Sequence, residues 1–293
     1  MSMSKKEVEM VVEIIGKKLD GVTVTCSTVE KNNKVVKEVV VIKKADDNVA
    51  PMFYIDNYAN ECSVEEIADN IISDYKKVVV PKFELDKFAE KDYILKNVEY
   101  RLVNEKNISE DRPYKRFLDL ALIYRVKAGV DENGEASFVI NKIMMNKLDI
   151  TEQELDKAAQ NNLENKRYSI NSMTDIIESM MSGNEIKIVE PAELGIAEKP
   201  DMIIISTCNR IHGASALLRA DVLDAVAKYF GKDFYILPSS VHELIAVSCE
   251  DGITTASLKE MVSEVNATEV DEVDILNDNV YRYNAEKHQV EIA

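Results

Sequence analysis

Across residues 7–19, Val8, Val11, Val12, Ile15 and Leu19 recur every three or four positions, with lysines and glutamates between them. That period puts one apolar stripe on an α-helix, so an amphipathic helix is expected here. Gly21 breaks the period. Residues 22–26 and 35–42 are β-branched runs separated by the polar Glu30-Lys-Asn-Asn33, the pattern of a hairpin, and Met52-Phe-Tyr-Ile55 reads as a third short strand. Ser63-Val-Glu-Glu66 then has the spacing of a capping box, opening a helix with Ile67, Ile71, Ile72 and Tyr75 inward.

Strands followed by a capped helix recur twice. Residues 98–103, 118–126 and 137–143 read as strands, and Thr151-Glu-Gln-Glu154 caps a helix with Leu155, Ala158, Ala159 and Leu163 inward. Further on, Met202-Ile-Ile-Ile-Ile-Ser206 reads as a buried strand and residues 213–230 as one helix. Strands follow at 234–237 and 243–247, and Ser257-Leu-Lys-Glu260 as a cap for Met261, Val262 and Val265. The stretch 202–237 has the order of a βαβ crossover. Tyr281 and Tyr283 alternate on a final strand and are expected to pack against a sheet rather than stack on bases. The adjacent hairpins favour an α+β class with mixed or mainly antiparallel sheets, amphipathic helices packed on them, and repeated β-then-α units. Gly183, Pro191, Gly195 and Pro200 punctuate the chain after a Met-rich helix that ends in Ser179-Met-Met-Ser182. A division is expected there, into α+β units 1–182 and 183–293, separate or packed as one.

Charge narrows the choice of partners. The net charge is −17, and it is uneven: residues 1–50 hold 9 basic and 8 acidic side chains, residues 250–293 hold 3 and 11. Nucleic acid and anionic membrane are poor partners for such a chain, because counterion release needs the opposite sign. A basic protein partner is the complementary expectation. The first twenty residues carry charges where a secretory signal has an apolar core, and no apolar run approaches the length of a bilayer, so a cytoplasmic location is expected. Cys26, Cys62, Cys208 and Cys249 are scattered without a C-x-x-C pair, which fits reduced thiols rather than disulfides or zinc. Neither a metal nor any other cofactor is expected.

Two segments hold candidate chemistry. In Leu237-Pro-Ser-Ser-Val-His-Glu243, the hydroxyls of Ser239 and Ser240, the His242 imidazole and the Glu243 carboxylate fall within five positions. On a strand Ser240 and His242 would share a face, where an imidazole can activate a hydroxyl; the same residues also suit a Pro-Ser-Ser turn whose hydroxyls satisfy the backbone. In Ser206-Thr-Cys-Asn-Arg-Ile-His-Gly-Ala-Ser215, small residues before a helix leave backbone donors for an anion that Arg210 would clamp, or simply cap a helix packed under a loop. No Gly-rich phosphate loop or nucleophile elbow is present. If the two segments converge, Asn209, His212, Ser239, Ser240, His242 and Glu243 line one polar pocket, with Arg210 at the anion loop. No residue is assigned a catalytic role.

Several segments together resemble an uncharacterised family of intracellular proteins from gut-dwelling Gram-positive bacteria, defined only as a domain of unknown function. The likeness rests on Val98-Glu-Tyr-Arg-Leu-Val-Asn-Glu-Lys-Asn107, Pro113 through Phe117-Leu-Asp-Leu120, Phe234-Tyr-Ile-Leu-Pro-Ser-Ser-Val-His-Glu243, Met261-Val-Ser-Glu-Val-Asn266 and Val280-Tyr-Arg-Tyr283. The Pro-Ser-Ser-x-His-Glu run is also similar to part of a second uncharacterised bacterial family. Such a resemblance implies architecture and compartment and carries over no active residues. Three functional readings remain. The first is a non-enzymatic intracellular interaction or regulatory protein, the second a small-molecule binder or hydrolase using the pocket, and the third an acidic nucleic-acid mimic.

Overall fold

Ser4 opens the first element by a reciprocal exchange: its N–H donates to Glu7 Oε2 at 2.7 Å, and Glu7 N–H donates back to Ser4 Oγ. Helix α1 (Lys5–Lys18) follows from this closed capping box. The computed structural model describes residues 3–59, 62–79, 84–131, 134–196, 202–238, 240–249 and 252–293, and it divides into two compact units, Met1–Ala89 and Glu90–Ala293.

In the first unit, α1 is followed by β1 (Val22–Glu30), β2 (Val36–Lys44), β3 (Met52–Tyr54) and α2 (Val64–Lys77). The strands form one antiparallel sheet in the order β1-β2-β3. Val8, Val11 and Ile15 from α1, Ile67, Ile71 and Ile72 from α2, and Val40, Ile42 and Phe53 from the sheet make its core. The stripes expected from periodicity are therefore the buried faces. Ser63 closes the expected box with Glu66, its N–H donating to Glu66 Oε2 at 2.8 Å. Ser63→Ala should lower the stability of this unit by about 1 kcal/mol, read as a shift in its urea midpoint at unchanged slope.

The second unit contains α3 (Lys91–Asn97), β4 (Val98–Asn104), β5 (Tyr114–Phe117), β6 (Leu120–Asp131), β7 (Gly134–Val139), α4 (Lys142–Leu148) and α5 (Glu152–Glu164). After these come β8 (Tyr168–Ser172), α6 (Met173–Ser182), β9 (Ile203–Thr207), α7 (Ala220–Phe230), β10 (Phe234–Leu237), β11 (Glu243–Ser248), α8 (Thr255–Thr268), β12 (Tyr281–Asn284) and β13 (Gln289–Ile292). A four-stranded sheet is built on the long β6, with β4 along one edge and β5 and β7 pairing along the strand. A six-stranded sheet has the order β13-β12-β10-β11-β9-β8. All described pairings are antiparallel, as the α+β reading requires. Residues 182 and 183 both lie inside this unit, where β8 and β9, on either side of the Gly- and Pro-rich stretch, pair with each other.

Local expectations change at four points, the first being the strand expected over 137–143, which ends at Val139 because Asn141 caps α4 from Lys142. The helix expected over 213–230 is a 3-10 turn, Gly213–Leu218, and then α7, because Arg219 adopts an extended conformation between them. The cap of α8 is Thr254, with Ser257 as its reciprocal partner inside the helix rather than the cap itself. The βαβ crossover is interrupted: β9 and β10 run in the same direction, but β11 pairs antiparallel with both and lies between them. Tyr281 and Tyr283 are fully buried, as their alternation predicts. Their hydroxyls donate to Asp119 at 2.5 Å and Asp224 at 2.7 Å, which ties the last strands to the β5–β6 turn and to α7.

Candidate functional site

β9 enters the site with every residue buried, and its last side chain shapes the turn that follows. The Thr207 hydroxyl accepts from the Ile211 N–H at 3.0 Å and lies 2.7 Å from Asn209 Oδ1. Closing so tight a turn puts Arg210 (φ 57°) and His212 (φ 54°) in the left-handed region. The chain then runs directly against the 241–242 backbone. Gly213 N–H donates to the His242 carbonyl at 2.9 Å, Ser206 Oγ donates to the same oxygen at 2.7 Å, and Ala214 N–H donates to Val241 O at 3.3 Å. Only glycine fits at 213, since a Cβ there would stand 2.4 Å from the His242 oxygen and 2.5 Å from Ser206 Cα. These bonds also answer the expected anion loop: the backbone donors at 213 and 214 are spent on carbonyls, so they are not presented to a ligand.

Both expected histidines arrive at this junction. Their rings stack with centroids 5.3 Å apart and planes 17° from parallel. His242 Nδ1 accepts from the His212 backbone N–H at 3.3 Å, and therefore carries no hydrogen of its own. The hydrogen then sits on Nε2, which lies 3.2 Å from Asp274 Oδ1. Both nitrogens of His242 are thus committed. Ser240 Oγ accepts from the His242 backbone N–H at 3.0 Å and makes no described bond to the ring, so it is placed as a turn hydroxyl. Ser239 lies outside the described residues.

Beneath the histidines is a layer of charge from the four-stranded sheet. Glu99 on β4 is directly opposite Arg125 on β6, and Arg101 is one diagonal further along the same face. Arg125 is only 2% exposed; its Nη2 donates to Glu99 at 2.6 Å and its Nη1 to Glu135 at 2.5 Å. Lys166 pairs with Glu99 at 3.3 Å and Lys127 with Glu135 at 2.8 Å. Burial opposes ionisation of both carboxyls, yet Lys166 and Arg125 hold Glu99, and Lys127 and Arg125 hold Glu135, below the usual carboxylate range. Asn209 Nδ2 donates to Glu135 at 3.2 Å, which fastens the loop to this layer.

His212 is 9% exposed, and its Nδ1 has no hydrogen-bond partner among the described residues. Burial, and after it the charges of Arg101 and Arg125, keep this imidazole neutral far below its ordinary range. Arg101 Nε is likewise buried and unpartnered. Burial and then neighbouring Arg125 push the Arg101 guanidinium down to about 10, with Asp274 acting in the opposite direction.

The single pocket expected from the sequence is divided. Arg210 and Glu243 line a separate cavity of about 240 Å³ together with Ser169, Asn171, Ser206 and Cys208, and neither histidine is part of its wall. His242 lies in the bend before β11, whereas Glu243 is the first residue of the strand. Arg101, Arg125, Glu99 and Glu135 were outside the expected set. Their signal was available, as ionisable residues interrupting β-rich runs.

Next to this cavity lies α6, capped at one end by Ser172, whose Oγ accepts from Asp175 N–H at 3.0 Å, and at the other by Gly183 with φ 69°. It buries none of its residues. Ile177, Met180 (71% exposed) and Met181 (83%) form an apolar stripe at helical spacing.

Among the described residues no helix is long and apolar enough to cross a membrane. Comparison with curated proteins and with solved structures returns no match. A family of unknown function, DUF5688, matches residues 4–285, and the chain belongs to that family.

Proposed function

We propose that this is a non-enzymatic, intracellular interaction protein that receives a basic amphipathic helix of a protein partner on α6. The observation that carries this reading is a well-capped helix whose apolar stripe, Ile177, Met180 and Met181, is exposed. Methionine side chains adapt to varied apolar partners, and helix-in-groove recognition uses anchors at this spacing. Asp175 and Glu178 flank the stripe on α6, Glu185 follows it, and the whole chain carries a net charge of −17, so the complementary partner face is cationic. The four cysteines are free thiols, which suits a reducing compartment. The commitment of both His242 nitrogens speaks against the hydrolase reading, since a general base needs a free lone pair aimed at its hydroxyl.

The acidic C-terminal end is a poorer docking element. Residues 281–292 supply β12 and β13, and removing them would strip two strands and two buried tyrosines from the six-stranded sheet. The interaction is better tested on α6. A synthetic Lys/Leu amphipathic peptide carrying one tryptophan should bind the full chain with a blue-shifted emission. Changing Ile177, Met180 and Met181 together to serine should weaken that binding roughly tenfold or more without loss of fold. Equal binding by the triple variant would refute the α6 reading. Binding that survives the triple variant but disappears in high salt would favour the acidic mimic instead.

A further inference from the structure

A buried guanidinium is ordinarily met by carboxylates or carbonyls on every side, because an ion taken out of water without partners costs several kcal/mol. Arg125 follows the rule through two of its nitrogens, with Glu99 and Glu135 in place. Arg101, on the same face of the sheet, departs from it. Its Nε is buried without a hydrogen-bond partner, and Asp274 is the carboxylate that acts on its charge. Two further buried nitrogens with no partner lie on its neighbours, Nε of Arg125 and Nδ1 of His212. These groups come from three elements: β4, β6 and the turn before the 3-10 segment. Arg101, Arg125, Lys166 and His242 all act electrostatically on His212, so the field there is positive.

We propose that Arg101 and His212 are the ligand-facing groups of an oxyanion-binding site, taking the carboxylate or phosphate group of a small molecule. The planar fork of a guanidinium matches either group with two parallel hydrogen bonds. A neutral imidazole adds one N–H from Nδ1 without adding charge. Arg125 supplies field from below while its own fork stays occupied by Glu99 and Glu135. Beside the stacked His212 ring, the His242–Asp274 pair is about one third exposed. Stacking holds the His212 ring in place, and the Gly213 and Asn209 contacts hold the turn that carries it, so the donors are preorganised. A polyanion is disfavoured by the charge of the chain as a whole.

The proposal is independent of docking on α6, because the two use different residues and different probes. It is tested on the full chain by calorimetry and thermal melting with inorganic phosphate and with succinate, each against chloride at matched ionic strength. At least one oxyanion should bind saturably and raise the melting temperature. Phosphate alone would identify phosphorylated ligands, succinate alone would identify carboxylates, and both would identify the shared group. Arg101→Gln should weaken the effect roughly tenfold or more, by loss of charge-assisted bonds. Arg101→Lys, with charge but no fork, should retain weak binding. Without ligand, Arg101→Gln should melt close to the parent, since the buried Nε has no hydrogen-bond partner and Asp274 offsets only part of the burial of the charge. Absence of saturable binding by either oxyanion, or equal binding by Arg101→Gln, would overturn the proposal. So would an unfolded or strongly destabilised Arg101→Gln, which would make the guanidinium a structural group.

Discussion

Gly213→Ala is expected to destabilise the second unit by about 3 kcal/mol, the upper end of what one added methyl group costs in a site that cannot yield. The site cannot yield because the atoms in the way are backbone: the His242 oxygen at 2.4 Å and Ser206 Cα at 2.5 Å from the position of the new Cβ. Relief requires the 206–215 and 240–243 segments to separate. That movement breaks the Gly213-to-His242 and Ala214-to-Val241 hydrogen bonds and unstacks the two imidazoles. The measurement is the urea midpoint, together with the His212 and His242 ring resonances, which should lose their mutual ring-current shifts. Gly16→Ala is the control of opposite sign. Gly16 lies within α1 with nothing within 4 Å of its would-be Cβ, so alanine there should stabilise by about 0.5–1 kcal/mol. A Gly213→Ala protein that melts like its parent would mean that the loop junction is not held as described.

What could be read from the chain follows from how locally each feature is determined. Ser63 with Glu66 and Thr151 with Glu154 announce helix starts because donor and acceptor lie three residues apart and no distant group takes part. The stripes of α1 and α2 are legible for the same reason. Arg219 is the contrary case. The apolar period of Leu217, Val222, Leu223 and Val226 runs through it without a break, while its Nη1 donates to the carbonyls of Leu163 at 2.7 Å and Lys166 at 3.0 Å, some fifty residues earlier. Those contacts hold the chain extended between the 3-10 turn and α7, and no window around Arg219 contains them. The insertion of β11 between β9 and β10 has the same character: each strand is visible in isolation, but their order is a property of the sheet. At the site, the loop residues are legible because histidines are rare in this chain and therefore conspicuous. Arg101 and Arg125 are inconspicuous because lysine and arginine are ordinary on half-exposed strands. The groups around them come from afar: Lys166 pairs with Glu99, and Asn209 of the 206–215 loop donates to Glu135.

The second large effect concerns this buried charge. Arg125→Met keeps most of the side-chain volume but leaves Glu99 and Glu135 with one lysine each, and it should cost about 3–5 kcal/mol at neutral pH, the usual penalty for removing one partner of a buried ionic cluster. The dependence on pH has a definite sign. In the parent both carboxyls titrate below their ordinary range, so their contribution is present above the ordinary carboxylate pKa and is lost as the pH falls through the depressed values. In the variant each carboxyl keeps one lysine but loses the guanidinium while burial remains, so both carboxyls move upward and protonation relieves the folded state. The gap between parent and variant should therefore be widest near pH 7 and narrow toward pH 4, measured by urea unfolding across that range. Glu99→Gln and Glu135→Gln added to Arg125→Met should recover only part of the loss at pH 7, because Lys166 and Lys127 then keep their charge without their carboxylates. A gap that stays constant with pH would show that Arg125 acts through packing alone, and would remove the electrostatic coupling that connects the sheet to the histidine junction above it.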